Sequence, residues 1–197
     1  MHVLLTGFEP FGGESINPSW EAVKMVKHIP EGMRVTRLLL PVSFALGPQR
    51  LKEAVLEHQP DAVISVGQAG GRNGISLERI AVNMKDARIA DNDGAMPRDE
   101  ILYPGEENAL FSSLPLRKTE AALERESLPA QISNSAGLYV CNAVFYEAAR
   151  LTRDGILSAA GFIHVPFLPE QAKNGEPSLP LSEMVRALEI ALDCLSP

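Results

Sequence analysis

Cysteine and long apolar runs are scarce in this chain. Only two cysteines occur among its 197 residues, too few for the disulfide framework that stabilises small secreted domains. No stretch approaches the roughly 20 apolar residues of a membrane-spanning helix. The first apolar run, Val3-Leu4-Leu5, is too short for the core of a secretory signal peptide. We therefore expect a reduced, cytoplasmic protein without a membrane partner.

Positive charge is scarce as well. The net charge is −7, and no basic run is longer than Arg117-Lys118. This pattern argues against a nucleic-acid partner and against binding to an anionic membrane surface. No internal repeat or low-complexity linker divides the chain, and a chain of this length can bury roughly 70% of its unfolded surface. Residues 1–197 are therefore expected to form a single domain.

Predicted strands and helices alternate along the chain. This alternation favours an α/β fold, a three-layer α/β/α sandwich whose central sheet is mostly parallel. The apolar patterns predict strands at 3–6, 34–40, 62–66, 75–84, 131–133 and 159–165, and helices at 18–27, 48–57, 119–126, 141–151 and 181–195. The glycine-rich loop 7–16 follows the first strand, where ligands bind in such sheets. The loop 85–108 has a length that is typical of functional or disordered segments.

A cysteine, a histidine and a glutamate lie in unusual settings. Cys141 falls where a turn signal gives way to a helical pattern. There the helix dipole and unpaired backbone N–H groups would favour the thiolate and lower its pKa from about 8.5 to roughly 3.5–7.5. His164 and Glu78 lie within apolar runs, and Ile80 and Val82 are expected to share the strand face of Glu78. The three polar residues suggest a nucleophile, its base and an orienting carboxylate.

Each of these residues also has a structural interpretation. A lone cysteine is commonly a small buried hydrophobe, and a histidine in an apolar segment is commonly a hydrogen-bonded core residue. Glu78 could pair with the adjacent Arg79. Triad residues meet in space rather than in sequence, so spacing alone leaves both interpretations open. Cys194, near the edge of the apolar stripe of the last helix, is expected to be a partly buried structural cysteine or part of a subunit contact.

Four segments of the chain resemble the pyroglutamyl-peptidase I (pyrrolidone-carboxylate peptidase) family of cysteine peptidases. They are LTGFEPFGGE at 5–14 with NPSWE at 17–21, VGQAGGR at 66–72 with Glu78 downstream, VCN at 140–142, and HVPFLP at 164–169. The order of Glu78, Cys141 and His164 along the chain agrees with that of the family. The match extends along nearly the whole chain, which makes it far more specific than one short motif.

The resemblance implies a cysteine exopeptidase, an omega peptidase that removes N-terminal pyroglutamate (5-oxoproline) from peptides through an acyl-enzyme. In that mechanism Cys141 is the nucleophile, His164 the general base and Glu78 the group that orients the imidazole. The Cys141 N–H and Arg88 are the implied donors to the oxyanion. No metal or cofactor is required, and the resemblance implies a homo-oligomer, either a dimer or a tetramer.

The resemblance also implies which residues bind the substrate. An uncharged lactam requires a largely apolar pocket with a few polar groups. The matching wall residues are Phe8, Phe11, Ile89, Tyr139 and Val140, and the matching polar residues are Asn17 and Gln68. Asn17 could instead be only a helix cap, and the two phenylalanines could be only core residues.

Two further side chains near this pocket carry expectations of their own. Arg72 is expected to form a structural ion pair rather than to take part in catalysis. Tyr139 stands where the family more often has phenylalanine. Its hydroxyl is therefore expected either to find a hydrogen-bond partner or to reach solvent.

Three other functions compete with the peptidase interpretation. The glycines of 7–13 and 67–71 suggest a nucleotide or phosphate binder. However, Gly13 and Glu14 stand where a P-loop needs lysine and then serine or threonine, and the second segment lacks the dinucleotide-binding spacing. A non-catalytic binding protein is a second alternative because fold does not fix activity, although an intact set of three candidate catalytic residues argues against it. A nucleoside phosphorylase-like activity rests on fold-level analogy alone.

Overall fold

The computed structural model describes residues 1–173 and 175–196. Within these ranges the strands are β1 (His2–Phe8), β2 (Arg34–Leu40), β3 (Ala62–Gln68), β4 (Ile75–Glu78), β5 (Ile80–Val82), β6 (Met84–Lys85), β7 (Glu100–Ile101), β8 (Ala109–Phe111), β9 (Ala130–Ser133) and β10 (Ala159–Val165). The helices are α1 (Pro18–Met25), α2 (Leu46–His58), α3 (Leu116–Arg125), α4 (Val140–Arg153) and α5 (Leu181–Leu195). Among them, no helix is both long enough and apolar enough to cross a bilayer.

The central sheet is mostly parallel, as predicted. Six strands pair in the order β2-β1-β3-β10-β4-β9. Neighbouring strands run parallel except β10 and β4, which are antiparallel. The carboxyl ends of β1, β3 and β10 therefore lie at one edge of the sheet, and β4 begins at that same edge. In open α/β sheets this is the edge at which ligands bind.

Helices cover both faces of this sheet. Along β1, Val3 and Leu5 point to one face and Leu4 and Phe8 to the other, because successive side chains of a strand alternate. The first face packs against α1, α3 and α5, and the second packs against α2 and α4. Cys194 is buried in the first of these cores, in agreement with a structural role, and a subunit contact of α5 stays a prediction. The predicted three-layer α/β/α sandwich is confirmed.

Helix α1 begins where the sequence predicts. Asn17 has an extended backbone, and its side chain accepts a hydrogen bond from the Ser19 N–H at 3.1 Å. Pro18 occupies the start of the helix, where its missing N–H costs nothing. A Cβ at Gly7 would lie 2.8 Å from the Trp20 backbone, so only glycine allows β1 and α1 to approach this closely. This contact holds Asn17 near the carboxyl end of the first strand.

The segment 75–84, predicted as one strand, is broken at Arg79. Strand β4 ends at Glu78 in the central sheet, whereas β5 pairs with β8 in a separate two-stranded sheet. The prediction that Ile80 and Val82 share the strand face of Glu78 is therefore wrong. All four residues of β4 are buried, whereas in β5 only Ala81 is fully buried.

The loop 85–108 is ordered by hydrogen bonds to the body of the protein. The Asp91 carboxylate accepts a hydrogen bond from the Phe44 N–H at 2.8 Å. The Asn92 side chain donates to Glu9 Oε1 at 2.7 Å. Because Glu9 follows directly after β1, these contacts hold the loop beside the carboxyl edge of the sheet.

Candidate active site

Three elements bring the predicted triad residues to one face of the sheet. In the sheet register His164 of β10 lies opposite Gly67 of β3, and Glu78 of β4 lies opposite Phe162. Side-chain alternation places His164 and Glu78 on the face that α4 covers. Helix α4 begins beside them, with Cys141 in its first turn. The structure therefore gathers all three residues at the carboxyl edge of the sheet.

A buried hydrogen bond joins the histidine to the glutamate. His164 Nδ1 and Glu78 Oε1 are 2.7 Å apart, and both side chains are buried. The ring of Phe162 packs against the imidazole with 4.8 Å between ring centroids. Burial lowers the pKa of His164, and the bond to Glu78 offsets only part of that effect. The ring is therefore neutral near pH 7, and with Nδ1 donating to the carboxylate, Nε2 is the basic nitrogen.

The same glutamate oxygen also binds an arginine. Arg72 Nη1 lies 2.5 Å from Glu78 Oε1, and Arg72 Nη2 donates to the Ser135 carbonyl at 3.1 Å. Burial opposes ionisation of Glu78, but its contacts with His164 and Arg72 prevail and lower its pKa. The expectation that Arg72 forms an ion pair is confirmed. The suggested pairing of Glu78 with the adjacent Arg79 is wrong, since Arg72 takes that position.

The thiol of Cys141 lies in a confined space above β3. A Cβ at Gly67 would come within 2.8 Å of Cys141 Sγ, so a side chain there would displace the thiol. Burial raises the pKa of the Cys141 thiol to about 12, and the charge of Glu78 adds to that effect. The expected lowering of this pKa is therefore wrong, because loss of hydration outweighs the backbone dipoles at the helix start. Within the described residues no hydrogen bond joins this thiol to His164.

Asn142 ties the start of α4 to the chain that follows Glu78. Its side chain accepts a hydrogen bond from the Val82 N–H at 2.9 Å and donates to the carbonyls of Val82 and Met84 at 2.8 and 2.9 Å. These three bonds explain why the chain leaves the central sheet after Glu78. They also fix the first turn of α4, so Asn142 positions the neighbouring Cys141. The motif at 140–142 included this residue, but nothing in the sequence indicated its role.

A cavity of about 270 Å³ opens beside Cys141 and His164. Its lining includes six of the predicted substrate-binding residues, which are Phe8, Phe11, Asn17, Gln68, Tyr139 and Val140. The lining also includes Val42 and Ala136, which the sequence did not indicate. Most of this surface is apolar, and Arg72 supplies a positive charge at one side. Across residues 1–173 and 175–196, no cluster of histidine, cysteine or carboxylate side chains is suited to a metal ion.

Aromatic rings form one wall of the cavity. The ring centroids of Tyr139 and Phe11 are 5.9 Å apart, and the edge of Phe44 packs on Tyr139 at 5.4 Å. The Tyr139 hydroxyl donates to the Ala90 carbonyl at 3.0 Å, which confirms that it finds a partner. Burial raises the pKa of Tyr139 to about 12, so the hydroxyl stays protonated as a donor. This bond ties the loop 85–108 to the cavity wall.

Asn17 both caps a helix and lines the cavity. Its Oδ1 accepts from the Ser19 N–H, while its Nδ2 donates to the Glu9 carbonyl at 2.9 Å. Phe8 likewise serves two purposes, since it is buried in the core and contributes to the cavity lining. The structural and functional interpretations of these residues are therefore compatible rather than exclusive.

Arg88 and Ile89 are not among the residues that line the cavity. Both side chains are exposed on the loop 85–108. A Cβ at Gly12 would lie 3.7 Å from the end of the Ile89 side chain, so Ile89 faces the neighbouring glycine-rich loop. The structure therefore separates these two predicted site residues from the other nine.

Comparison with known proteins places this arrangement in a family. The family model described as pyroglutamyl peptidase matches residues 1–196. A pyrrolidone-carboxylate peptidase of Caldanaerobacter subterraneus subsp. tengcongensis is 45% identical over 195 residues, which cover 98% of this chain and 96% of the relative. The pyrrolidone-carboxylate peptidase of Thermococcus kodakarensis is also 45% identical, with coverage of 98% and 94%.

Solved structures agree with the sequence comparison. The pyroglutamyl peptidase I of Bacillus amyloliquefaciens superposes with a TM-score of 0.93 at 42% identity, covering 98% of this chain and 93% of that chain. A mutant pyrrolidone carboxyl peptidase of Pyrococcus furiosus superposes with a TM-score of 0.94 at 43% identity, with coverage of 98% and 97%. The resemblance noted from sequence motifs is confirmed, and the chain belongs to the pyroglutamyl peptidase family of cysteine peptidases.

Proposed function

We propose that the chain removes N-terminal pyroglutamate (5-oxoproline) from peptides through a Cys-His-Glu mechanism with an acyl-enzyme intermediate. One observation carries this proposal. The buried pair of His164 and Glu78 lies with Cys141 at the edge of an apolar cavity large enough for a small ring. A pyroglutamyl ring bound in this cavity would place the carbonyl that joins it to the next residue beside the Cys141 thiol, so attack there would cleave the bond that follows pyroglutamate.

The catalytic cycle begins with proton transfer between two neutral groups. As Cys141 Sγ bonds to the substrate carbonyl carbon, the thiol proton passes to His164 Nε2. Glu78 holds Nδ1 and stabilises the imidazolium that forms. His164 then donates the proton to the leaving amine as the C–N bond breaks. Water attacks the thioester with His164 again acting as the base, and cleavage of the C–S bond regenerates the thiol.

The developing oxyanion needs hydrogen-bond donors. The Cys141 N–H lies in the first turn of α4, where backbone N–H groups lack intrahelical acceptors. We keep Arg88 as the second proposed donor. Since Arg88 is exposed and lies outside the cavity lining, this role requires its side chain to turn inward when substrate binds. Ile89 would then complete the apolar wall.

The apolar lining explains the proposed selectivity for an uncharged ring. Phe8, Phe11, Tyr139 and Val140 enclose the ring carbons, while Asn17 and Gln68 offer polar contacts. An N-terminal glutamate would bring a carboxylate and an ammonium group that this surface cannot hydrate. The carboxylate of Glu9, which lies in the glycine-rich loop after β1 and accepts from Asn92, disfavours the competing phosphate-binding interpretation.

Anilide substrates test this function directly. We expect release from a pyroglutamyl-anilide, with kcat/KM at least about 10³-fold higher than for a glutamyl-anilide. A prolyl-anilide should also be a poor substrate because its ring lacks the carbonyl and carries a charge. The Cys141→Ala variant serves as the control for contaminating activity. Comparable turnover of the three anilides would contradict the proposal.

We further propose that the enzyme is a homo-oligomer, a dimer or a tetramer, that works in the cytosol. Light scattering of the purified parent measures this assembly directly. A monomer mass of about 21.3 kDa at micromolar concentration would contradict it.

A further inference from the structure

We propose that Gln171 is a positioning residue that sets which end of the Gln68 amide faces the cavity, so that Gln68 presents an N–H donor to the lactam carbonyl. This inference rests on the proposed pyroglutamyl specificity and deepens it. Gln171 is not among the residues that line the cavity, so it acts through Gln68 rather than on the substrate.

The backbone determines the orientation of the Gln171 side chain. Its Oε1 accepts a hydrogen bond from the Leu168 N–H at 3.1 Å, and its Nε2 donates to the Ile16 carbonyl at 3.3 Å. A backbone N–H can only donate and a backbone carbonyl can only accept. Reversing the amide would place two donors together at one end and two acceptors together at the other. Gln171 is also buried, so water cannot compensate for such a reversal.

The second hydrogen on Gln171 Nε2 fixes the orientation of the Gln68 side-chain amide. Gln171 Nε2 lies 3.3 Å from Gln68 Oε1. Because Gln171 can only donate at this position, Gln68 must offer its oxygen to Gln171. The Gln68 amide nitrogen is then the end left for the cavity that Gln68 lines.

Asn17, which also lines the cavity, has the orientation of its side-chain amide fixed in the same way. The Ser19 N–H fixes its oxygen, and the Glu9 carbonyl takes one hydrogen of its Nδ2. Its second Nδ2 hydrogen is therefore available on the side that lines the cavity. The side-chain amides of Asn17 and Gln68 thus each direct an N–H donor into the cavity. A ligand carbonyl, whose oxygen has two lone pairs, can accept both hydrogen bonds. The 5-oxo group of a lactam provides such a carbonyl, and a plain pyrrolidine ring does not.

The central experiment is a double-mutant cycle between Gln171→Met and Gln68→Leu. Gln171→Met keeps the length of the side chain and removes its three hydrogen bonds. We expect KM for a pyroglutamyl-anilide to rise about fivefold to tenfold, the factor that one neutral hydrogen bond supplies, with kcat nearly unchanged. On the Gln68→Leu background, Gln171→Met should raise KM by less than about twofold, because the residue through which it acts is gone.

The matched control is Gln131→Met on β9. Gln131 donates to the Ser76 hydroxyl at 3.3 Å and does not line the cavity, so the same substitution should leave KM unchanged. If Gln171→Met only displaced its loop, its effect on KM would be as large with Gln68→Leu as without it. That additive result would overturn the inference, and so would a parental KM for Gln171→Met.

Binding measurements on the parent keep the inference testable if Gln171→Met fails to fold. The probe is 2-pyrrolidone, the free lactam ring, and its binding is read from the protection of Cys141 against iodoacetamide. In a nitrogen–proton NMR spectrum, the side-chain amide signal of Gln68 is assigned by its absence from the spectrum of Gln68→Leu. In the parent, this signal should shift when 2-pyrrolidone binds. Cyclopentanone, which keeps the carbonyl and lacks the ring N–H, should shift the same signal. An unchanged Gln68 signal with bound lactam would overturn the inference.

These outcomes are separable from failure of the proposed function. If the parent does not hydrolyse pyroglutamyl-anilide and does not bind 2-pyrrolidone, the proposed substrate is wrong. If the parent does both and the mutant cycle is additive, the substrate is right and the role of Gln171 is wrong.

Discussion

The surroundings of the cavity are built differently on two sides. On the side that we call the strand side, Cys141, His164 and Glu78 come from a helix start and two paired strands, and the histidine and glutamate are buried. On the loop side, the neighbouring segment 85–108 carries Arg88 and Ile89, which are exposed and do not line the cavity. On the strand side the hydrogen bond between His164 and Glu78 is already formed without substrate, so the imidazole is oriented in advance. On the loop side, hydrogen bonds hold the residues that follow Arg88 and Ile89 in the chain. The Arg88 and Ile89 side chains are therefore the part that can adapt to a bound ligand.

On the strand side, burial affects the ionisation of Glu78 and Cys141 differently. Glu78 accepts from both His164 and Arg72, so the buried carboxylate is compensated and remains ionised. The cost of burial falls instead on Cys141, whose pKa is raised to about 12. The resting site therefore holds a neutral thiol beside a neutral imidazole. In the proposed mechanism, these residues therefore assist proton transfer during attack rather than stabilise a preformed thiolate.

The largest effect is expected from Cys141→Ala, which removes the nucleophile from the strand side. We expect kcat/KM for a pyroglutamyl-anilide to fall by at least about 10⁴-fold, because the other triad residues are ineffective without it. The melting temperature should change little, since alanine leaves the fold contacts of α4 intact. Cys194→Ser is the matched control and should retain parental activity. A kcat/KM of Cys141→Ala within tenfold of the parent value would contradict the assignment of Cys141 as the nucleophile.

Glu78→Gln tests whether the carboxylate acts on the imidazole. Glutamine keeps the shape, but it removes the charge that stabilises the imidazolium and the tautomer with Nδ1 protonated. We expect kcat to fall by about 10³-fold with KM changed less than about threefold. Steady-state kinetics on a variant with a native circular dichroism spectrum provides the measurement. A change confined to KM would mean that Glu78 shapes the cavity and does not orient His164.

Arg88→Ala tests whether the loop side takes part in the chemistry. If Arg88 moves inward to stabilise the oxyanion, kcat should fall by about 10²-fold. Arg98→Ala is a suitable control, because Arg98 is an exposed arginine of the same loop and pairs with Asp86 at the protein surface. Equal kinetics for both variants and the parent would assign catalysis to the strand side alone.

The sequence predicted the strand side much better than the loop side, for a physical reason. Strands such as Arg34–Leu40 and Ala159–Val165 follow from local apolar patterns, and the observed bounds equal the predicted ones. The register between β10 and β4 then follows from burial, which brings His164 near Glu78. The position of Arg88 depends on how a loop packs, and that packing has no local signature.

Tertiary contacts explain the remaining differences from prediction. The break at Arg79 arises because Asn142, some sixty residues away in sequence, binds the backbone of Val82. The raised pKa of Cys141 depends on the depth of burial, which a helix-start pattern does not reveal. The sequence did not indicate a role for Gln171, because its three hydrogen-bond partners lie in three separate segments of the chain.

Alkylation of Cys141 at different pH values tests the resting state of the strand side. A thiol with a pKa near 12 gains thiolate about tenfold per pH unit throughout the range below it, so the rate with iodoacetamide should climb from pH 7 to pH 10 without levelling. An ordinary thiol would level near pH 8.5–9. Since the pKa of His164 is lowered, its basic form persists below the usual value of about 6.5, and kcat/KM should decline only below that pH. A plateau in alkylation from pH 5 to pH 8 would instead reveal a preformed thiolate–imidazolium pair.

The smallest effect is expected from Tyr139→Phe, which touches both sides of the cavity. The substitution keeps the ring that packs on Phe11 and Phe44 and removes only the hydroxyl that binds the Ala90 carbonyl. One neutral hydrogen bond between wall and loop is worth about 1 kcal/mol, so we expect KM to change by no more than about fivefold while kcat stays within twofold. Tyr146→Phe, which also loses a hydroxyl bond to a backbone carbonyl but lies outside the cavity lining, is the control. If Tyr139→Phe lowers kcat as strongly as Arg88→Ala does, the position of the loop controls the chemical step, and the two sides of the cavity work as one unit.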